Sequence, residues 1–364
     1  MGVVIDGVLK EWGDRLYYVR TRARPAPKNV CGFRPKSRPA AKGGNTAGIV
    51  RGALKRTVKK APEVLVKVSG GGKSMSRIKA HFDYISRNGD VPLEDEAGHA
   101  IEGKEALGRL RDDWKMSADG ATIPYEDGYR REAFNIVLSM PEGTDRDAVR
   151  SAAREFAKAN FDGHMYVFAS HDDEKHPHVH LCVKAVGRDM TRLNPRKADL
   201  QEWRESFAGK LRENGIEANA TPRVVRGQAR RPERQAVRHI QRRGAPSWTK
   251  KKQAEAVAAD VAAGRSGVTE HDAKLKKRRA EVVDRYGRIA KALAGSETES
   301  DRRLAVGLAQ HVKEMPEPKT AHRLAVEAAY QQQRGGGVDR AAARQQDREQ
   351  GRAAKRAGQG REQE

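Results

Sequence analysis

The stretch Met165-Tyr-Val-Phe-Ala-Ser-His-Asp-Asp-Glu-Lys-His-Pro-His-Val-His-Leu-Cys-Val-Lys184 decides how this chain reads. Two runs rich in β-formers, 165–170 and 179–184, flank the short polar segment Asp172 to Lys175, a pattern that predicts a β-hairpin. Alternate side chains on a strand share a face, so His178 and His180 project together, and the turn brings His171 back beside them. Three imidazoles converging from a hairpin make a site for a divalent metal ion. A polar surface strand or a hydrogen-bonded histidine ladder is the simpler alternative. Four of the chain's 11 histidines fall within the ten residues 171–180, which makes chance clustering a poor account.

Outward from the hairpin, the pattern continues in both directions. Glu63 to Val68 is a β-rich run and Ala133 to Ser139 a second, stopped by Pro141. Helical periodicity marks Ser76 to Arg87, Glu105 to Met116, Asp147 to Asn160 (capped by Thr144 or Asp145) and Asp199 to Asn214, with Gly215 ending the last. The order β-α-α-β-α-β-β-α predicts an α+β fold, a central, mainly antiparallel sheet with helices packed on it. The expected divisions are a basic irregular N-terminal arm over 1–61, a nuclease-sized core over 62–222, a basic helical extension over 223–334 and a disordered tail over 335–364. Residues 250–332 supply few large apolar groups, so their helices are expected to be weakly anchored.

Composition bounds the partner. Of 364 residues, 72 are Lys or Arg against 49 Asp or Glu, a formal charge of +23 that points to a polyanion, nucleic acid before membrane. No apolar run approaches the ~20 residues that span a bilayer, and the N-terminus lacks a secretory pattern. Two cysteines, Cys31 and Cys182, suit a reducing cytosol.

Chemistry on a phosphodiester needs a nucleophile as well as a Lewis acid. On the helix from Ser76, residues Ile78, Phe82 and Ile85 form the buried stripe, and Tyr84 lies off it near the helix end, followed by the basic Arg87. Read in isolation, a tyrosine there is more often structural than catalytic; pairing with the histidine cluster is what singles it out. The run Ser69-Gly-Gly-Gly-Lys-Ser74 follows a strand but has Lys67 where a nucleotide-binding loop needs its first glycine. It reads as a flexible turn whose backbone amides contact phosphate. Cys182 shares the face of His180 and reads as a core cysteine rather than a ligand.

The set Phe82-Asp-Tyr84-Ile-Ser-Arg87, Val137-Leu-Ser139-Met-Pro-Glu-Gly143 and His171-x-Asp173-x-x-His176-Pro-His178-Val-His180 resembles the three ordered motifs of relaxases. These are the mobilization nucleases of plasmids and the related T-DNA border endonucleases, within the HUH superfamily. The resemblance covers about residues 62 to 222. It implies a cytoplasmic, metal-dependent nickase that cuts single-stranded DNA at an origin of transfer through a 5′-phosphotyrosyl intermediate. It implies Tyr84 as the attacking residue and His171, His178 and His180 as ligands of Mg²⁺, Mn²⁺ or Zn²⁺. Ser139 and Arg87 would contact DNA. Asp173 would hydrogen-bond a ligand histidine or accept the tyrosine proton, and His176 would orient the phosphate, support a ligand or replace one. Relaxosome accessory proteins and a type IV secretion coupling protein are the further partners it implies. A rolling-circle initiator or single-strand transposase shares the mechanism, and a non-enzymatic, metal-stabilised DNA-binding protein would leave Tyr84 merely packed.

Overall fold

A computed structural model of the chain describes residues 2–17, 46–117, 120–228, 233, 235–245 and 247–333. Helices α1 (Gly2–Tyr17) and α2 (Thr46–Val58) precede strand β1 (Leu65–Gly70) and helix α3 (Met75–Ile85). A short hairpin, β2 (Leu93–Asp95) and β3 (Ala100–Ile101), leads to α4 (Gly103–Trp114) and β4 (Ala133–Ser139). Helix α5 (Arg146–Asn160), the hairpin β5 (Tyr166–His171) and β6 (His178–Lys184), and α6 (Lys197–Glu213) complete the body. Farther on come α7 (Gln235–Arg242), α8 (Trp248–Ala262), α9 (Glu270–Ala294) and α10 (Glu299–Glu314). No helix among the described residues is long and apolar enough to cross a membrane.

The six strands form one sheet, ordered β1-β4-β6-β5-β2-β3, with every pairing antiparallel. This is the α+β architecture expected, with β2 and β3 added at an edge. Alternation along the strands gives the sheet two unlike faces. One carries Val66, Ile136, Leu138, Phe168, Val179, Leu181 and Val183 against Val149 and Phe156 of α5 and Trp203, Phe207 and Leu211 of α6. Phe156 meets Phe161 and Phe207 edge-on, at ring-centroid distances of 5.8 and 5.9 Å, an arrangement that adds about 0.5–1.5 kcal/mol per pair to area burial. The other face carries Val167, Ala169 and Cys182 against Ile78, Phe82 and Ile85 of α3 and Leu107, Leu110 and Trp114 of α4.

That second cover is partial. Directly paired residues of antiparallel strands share a face, so the row His180, Val137, Lys67 and the row His178, Ser139, Leu65 run outward from β6 across β4 to β1. Lys67 and Leu65 are exposed, and Val137 and Ser139 only half-buried. Among the described residues this half of the face is open to solvent.

The described residues divide into two compact units, those within 2–222 together with 285–312, and those within 223–284 together with 313–333. Two expectations are corrected here. In the arm read as irregular, 2–17 and 46–58 are helical, because Ile5, Leu9 and Leu16 on α1 and Val50 and Leu54 on α2 recur at helical spacing and are buried. Nor are the later helices uniformly loose. Tyr286, Ile289 and Leu293 of α9 and Leu304 and Leu308 of α10 are buried, and Arg51 of α2 binds Asp301 through Nε at 2.9 Å and Nη2 at 3.1 Å. A few well-spaced apolar residues suffice once a partner helix lies beside them. In the second unit Asp272 accepts from the backbone and hydroxyl groups of both Thr269 and Thr320. The tail expected from residue 335 lies outside the described residues.

Candidate metal centre and nucleophile

The hairpin builds its site by register. His171 pairs directly with His178, and Ala169 with His180, so three imidazoles share one patch of the second sheet face. One ring nitrogen from each of His171, His178 and His180 lies within 4.8 Å of the others. Ring centroids are separated by 5.3 Å (171–178), 4.6 Å (171–180) and 5.1 Å (178–180).

Two backbone carbonyls orient the rings. His171 Nε2 donates to the carbonyl of Ile85 at 2.8 Å, and His178 Nδ1 donates to that of His176 at 3.0 Å. A ring nitrogen facing a carbonyl must carry the proton, which leaves the lone pairs on His171 Nδ1 and His178 Nε2. Arg87 Nη2 sits 3.4 Å from that same His171 Nδ1. Burial pushes His180 down to about 3 and lowers His171, so both rings stay neutral near pH 7, the state a ligand requires. Neutral, pre-oriented imidazoles of this kind fit a divalent transition ion.

Tyr84 stands beside them. Its ring centroid lies 5.5 Å from that of His180 and 6.2 Å from that of His171. The stripe of Ile78, Phe82 and Ile85 anchors α3 on the sheet, which leaves Tyr84 52% exposed. That exposure does not suit a tyrosine that merely packs. After Ser86 the chain turns through the left-handed region at Arg87 (φ 51°) and Asn88 (φ 61°), a conformation that costs a non-glycine residue about 1–2 kcal/mol. The turn sends the Arg87 guanidinium back over the Tyr84 ring, 5.2 Å from its centroid.

The remaining expected residues fall into distinct places. Asp173 forms a close ion pair with Arg87. What burial it has pushes its carboxyl up, but the guanidinium outweighs that and holds it below the usual carboxylate range. It therefore braces Arg87 rather than touching a ligand ring, and its low proton affinity makes it a weak base. The side chain of His176 is exposed and outside the triad, and this residue contributes through its carbonyl. Ser139, opposite His178, is half-buried at the end of the open half-face. Cys182 lies in the core beneath, where burial raises its thiol pKa, and it takes no part in the triad.

Three residues escaped the sequence reading. His81, one turn before Tyr84, stacks on it at 6.3 Å and meets His180 at 6.5 Å. Its buried Nε2 has no hydrogen-bond partner among the described residues, and burial pushes its pKa down to about 4. The i, i+3 spacing to Tyr84 was the available signal. Arg146, at the start of α5, donates to the carbonyls of His171 (3.2 Å) and Glu174 (2.6 Å) and so ties down the hairpin loop. Lys67 needed the register of three strands to be placed. Just after the glycine run, the amides of Met75 and Ser76 at the start of α3 donate to the carbonyls of Pro124 and Tyr125, at 2.8 and 3.3 Å.

Residues 96–216 match the family profile described as relaxase, MobA/VirD2-like, nuclease domain. The chain is also similar to T-DNA border endonuclease VirD2 of Rhizobium radiobacter, 28% identical over 187 residues that cover 47% of this chain and 44% of that protein. The VirD2 proteins of Rhizobium rhizogenes and Agrobacterium fabrum are 27% and 26% identical over stretches of the same length, covering 43% and 42% of those proteins. The chain thus spans less than half the length of these curated relatives.

Proposed function

We propose that this chain, which carries a relaxase-type nuclease domain, nicks one strand of single-stranded DNA by tyrosine transesterification. The observation that carries the reading is the half-exposed Tyr84 ring held 5.5 Å from His180 of a convergent three-histidine set. A divalent cation bound by His171, His178 and His180 would polarise a non-bridging phosphate oxygen and offset charge building on phosphorus. In the reaction the Tyr84 oxygen bonds to phosphorus and the bond from phosphorus to the 3′ oxygen breaks. The phenolic proton leaves to solvent, which the exposed ring admits, and the departing 3′ oxygen takes up a proton. The 5′ phosphate remains on the protein.

Arg87, braced by Asp173, adds positive charge beside the phosphate, and its short reach from Tyr84 keeps that charge at the reacting end of α3. Ser139 and Lys67 offer a hydroxyl and an ammonium on the open half-face, along which a strand leaving the metal centre would lie. Physiologically the strand would be that of an origin of transfer. Relaxosome accessory proteins and a type IV secretion coupling protein are the partners that follow from this reading, and the cytoplasm is its compartment.

The test is a covalent one. The full chain, incubated with Mn²⁺ and a pool of single-stranded oligonucleotides of randomised sequence, should yield a protein–DNA adduct that survives denaturing electrophoresis. Tyr84→Phe removes one oxygen and leaves the buried stripe intact, so adduct should vanish while DNA binding persists. Adduct formation by that variant would remove Tyr84 from the chemistry.

A further inference from the structure

Tyrosines 125 and 129 are the most exposed aromatic residues among the described residues of the first compact unit, at 69% and 106% of full exposure. Both lie in the loop that joins α4 to β4. Scattered exposed apolar residues are ordinary on a protein surface. Here two aromatic rings stand four positions apart in a chain with only 8 tyrosines, on a loop whose backbone is fastened at many points.

The fastening comes from the turn before α3. Besides the Pro124 and Tyr125 carbonyls that cap that helix, the amide of Gly128 donates to the Lys73 carbonyl at 3.2 Å. The amides of Glu132 and Ala133 donate to the carbonyl of Gly72 at 2.7 and 3.1 Å. Asp127 accepts from Ser74 Oγ at 2.9 Å and from Arg77 Nε at 2.7 Å. The turn fits this closely because Gly71 has no side chain; a Cβ there would lie 2.4 Å from the Ala133 carbonyl oxygen. A backbone so held presents its rings at little further entropic cost on binding.

Charge and position indicate what the rings meet. Lys73, Arg77, Arg130 and Arg131 are exposed in this part of the fold, as are Glu126 and Asp127 between the two tyrosines. Asp127 pairs with Arg77 at 2.7 Å and Arg130 with Glu132 at 2.8 Å, which leaves Lys73 and Arg131 as the cations outside those pairs. The loop runs straight into β4, whose open side leads through Asn135 and Val137 to Ser139, opposite His178 of the metal centre. The strand from Ala133 to Ser139 covers about 20 Å at ~3.3 Å per residue, a distance of several nucleotides. From Ser76 along α3 to Tyr84 is about 12 Å at ~1.5 Å per residue.

We propose that the Tyr125–Tyr129 loop is a stacking platform for unpaired bases of a single DNA strand, seated at the far end of the open half-face from the nucleophile. The inference rests on the DNA-nicking reading for its choice of polymer. Stacking on aromatic rings beside a basic track is how single strands are held without sequence readout, and a duplex hides the base faces it requires. The platform would hold the strand while Tyr84 acts on it, and would set how much length beyond the nick site contributes to affinity.

Binding of the full chain to a fluorescein-labelled oligothymidylate of about 25 nucleotides, several site lengths, tests this by anisotropy at fixed salt without divalent metal. The double variant Tyr125→Ala/Tyr129→Ala should bind about tenfold or more weakly, since each lost base–aromatic stack weakens binding by at least several-fold. Tyr125→Phe/Tyr129→Phe, which keeps both rings, should bind like the parent. On an abasic strand of equal length the alanine and parent proteins should bind alike. Unchanged affinity of the alanine variant on oligothymidylate overturns the proposal, as does an equal loss on the abasic strand, or parent binding to duplex as tight as to single strand. Should the double variant unfold, Tyr129→Ala alone carries the test, because that ring touches solvent on all sides. The readouts are separable: ring-dependent binding without adduct leaves the platform and removes the nickase reading, and adduct without ring dependence does the reverse.

Discussion

The face of the sheet that meets α5 and α6 and the face that meets α3 and α4 are built from the same strands, one residue out of step. On the first, large apolar side chains from both helices close over every central strand, and Phe156, Phe161, Phe207 and Leu211 are fully buried. On the second, two helices cover β5, β6, β2 and the Ala133 end of β4, and among the described residues β1 and the rest of β4 are left partly open. The polar groups with chemical potential lie where that cover stops: Tyr84 at the end of α3, the histidines on β5 and β6, and Ser139 and Lys67 just beyond. One face supplies the rigidity on which the other spends its exposure. Precise placement of reacting groups needs such a backing, because an imidazole on a strand is only as fixed as the strand beneath it.

The comparison breaks most sharply if the open face turns out to be structural. His180→Ala should eliminate both measurable Mn²⁺ binding, followed by titration calorimetry, and adduct formation, since two imidazoles hold a divalent ion poorly. His176→Ala, with its carbonyl retained, should still bind the ion. If His176 proved necessary and His171 dispensable, the triad would be misassigned.

On the sealed face the expectation inverts. Phe156→Ala should cost about 3–5 kcal/mol in urea unfolding, from lost burial and the cavity left among Phe161, Phe207 and Val149. What protein remains folded should still bind Mn²⁺. A loss below about 1 kcal/mol would mean the site collapses readily and that this face is less tightly packed than its contacts imply.

Lys67→Ala should give the smallest effect and the sharpest one. Its unfolding midpoint should match the parent, and the log–log salt slope for single-stranded DNA should fall by about 0.7, the value of one phosphate contact. A slope that does not move would place the strand elsewhere than on β1 and β4.

How much of this was legible in the chain follows the range of the interactions. The hairpin, the Ile78–Phe82–Ile85 stripe and the Asp145 cap of α5 are local patterns and stand in the structure where periodicity puts them. Strands β2 and β3 were illegible because they are three and two residues long, and β2 carries Glu94 and Asp95, residue types that are poor strand formers. The α1 and α2 helices were hidden by the basic, proline-rich run between them, and a partner such as Asp301 stands 250 residues from Arg51. The open half-face depends on which strands neighbour β6, a property of topology that no single motif encodes.

The hydrogen bond from His171 to the Ile85 carbonyl has one more consequence. Ile85 follows Tyr84 directly, so the backbone one residue beyond the proposed nucleophile is tied to one of the candidate metal-binding rings. If Tyr84 is the nucleophile, as proposed, the arrangement that serves the forward step would serve its reverse as well, the return of a 3′ hydroxyl to the phosphotyrosine through the same transition state. Whether a strand is cut or sealed would then be decided by which DNA end stays within reach, and the protein would act as a joint that is opened from outside.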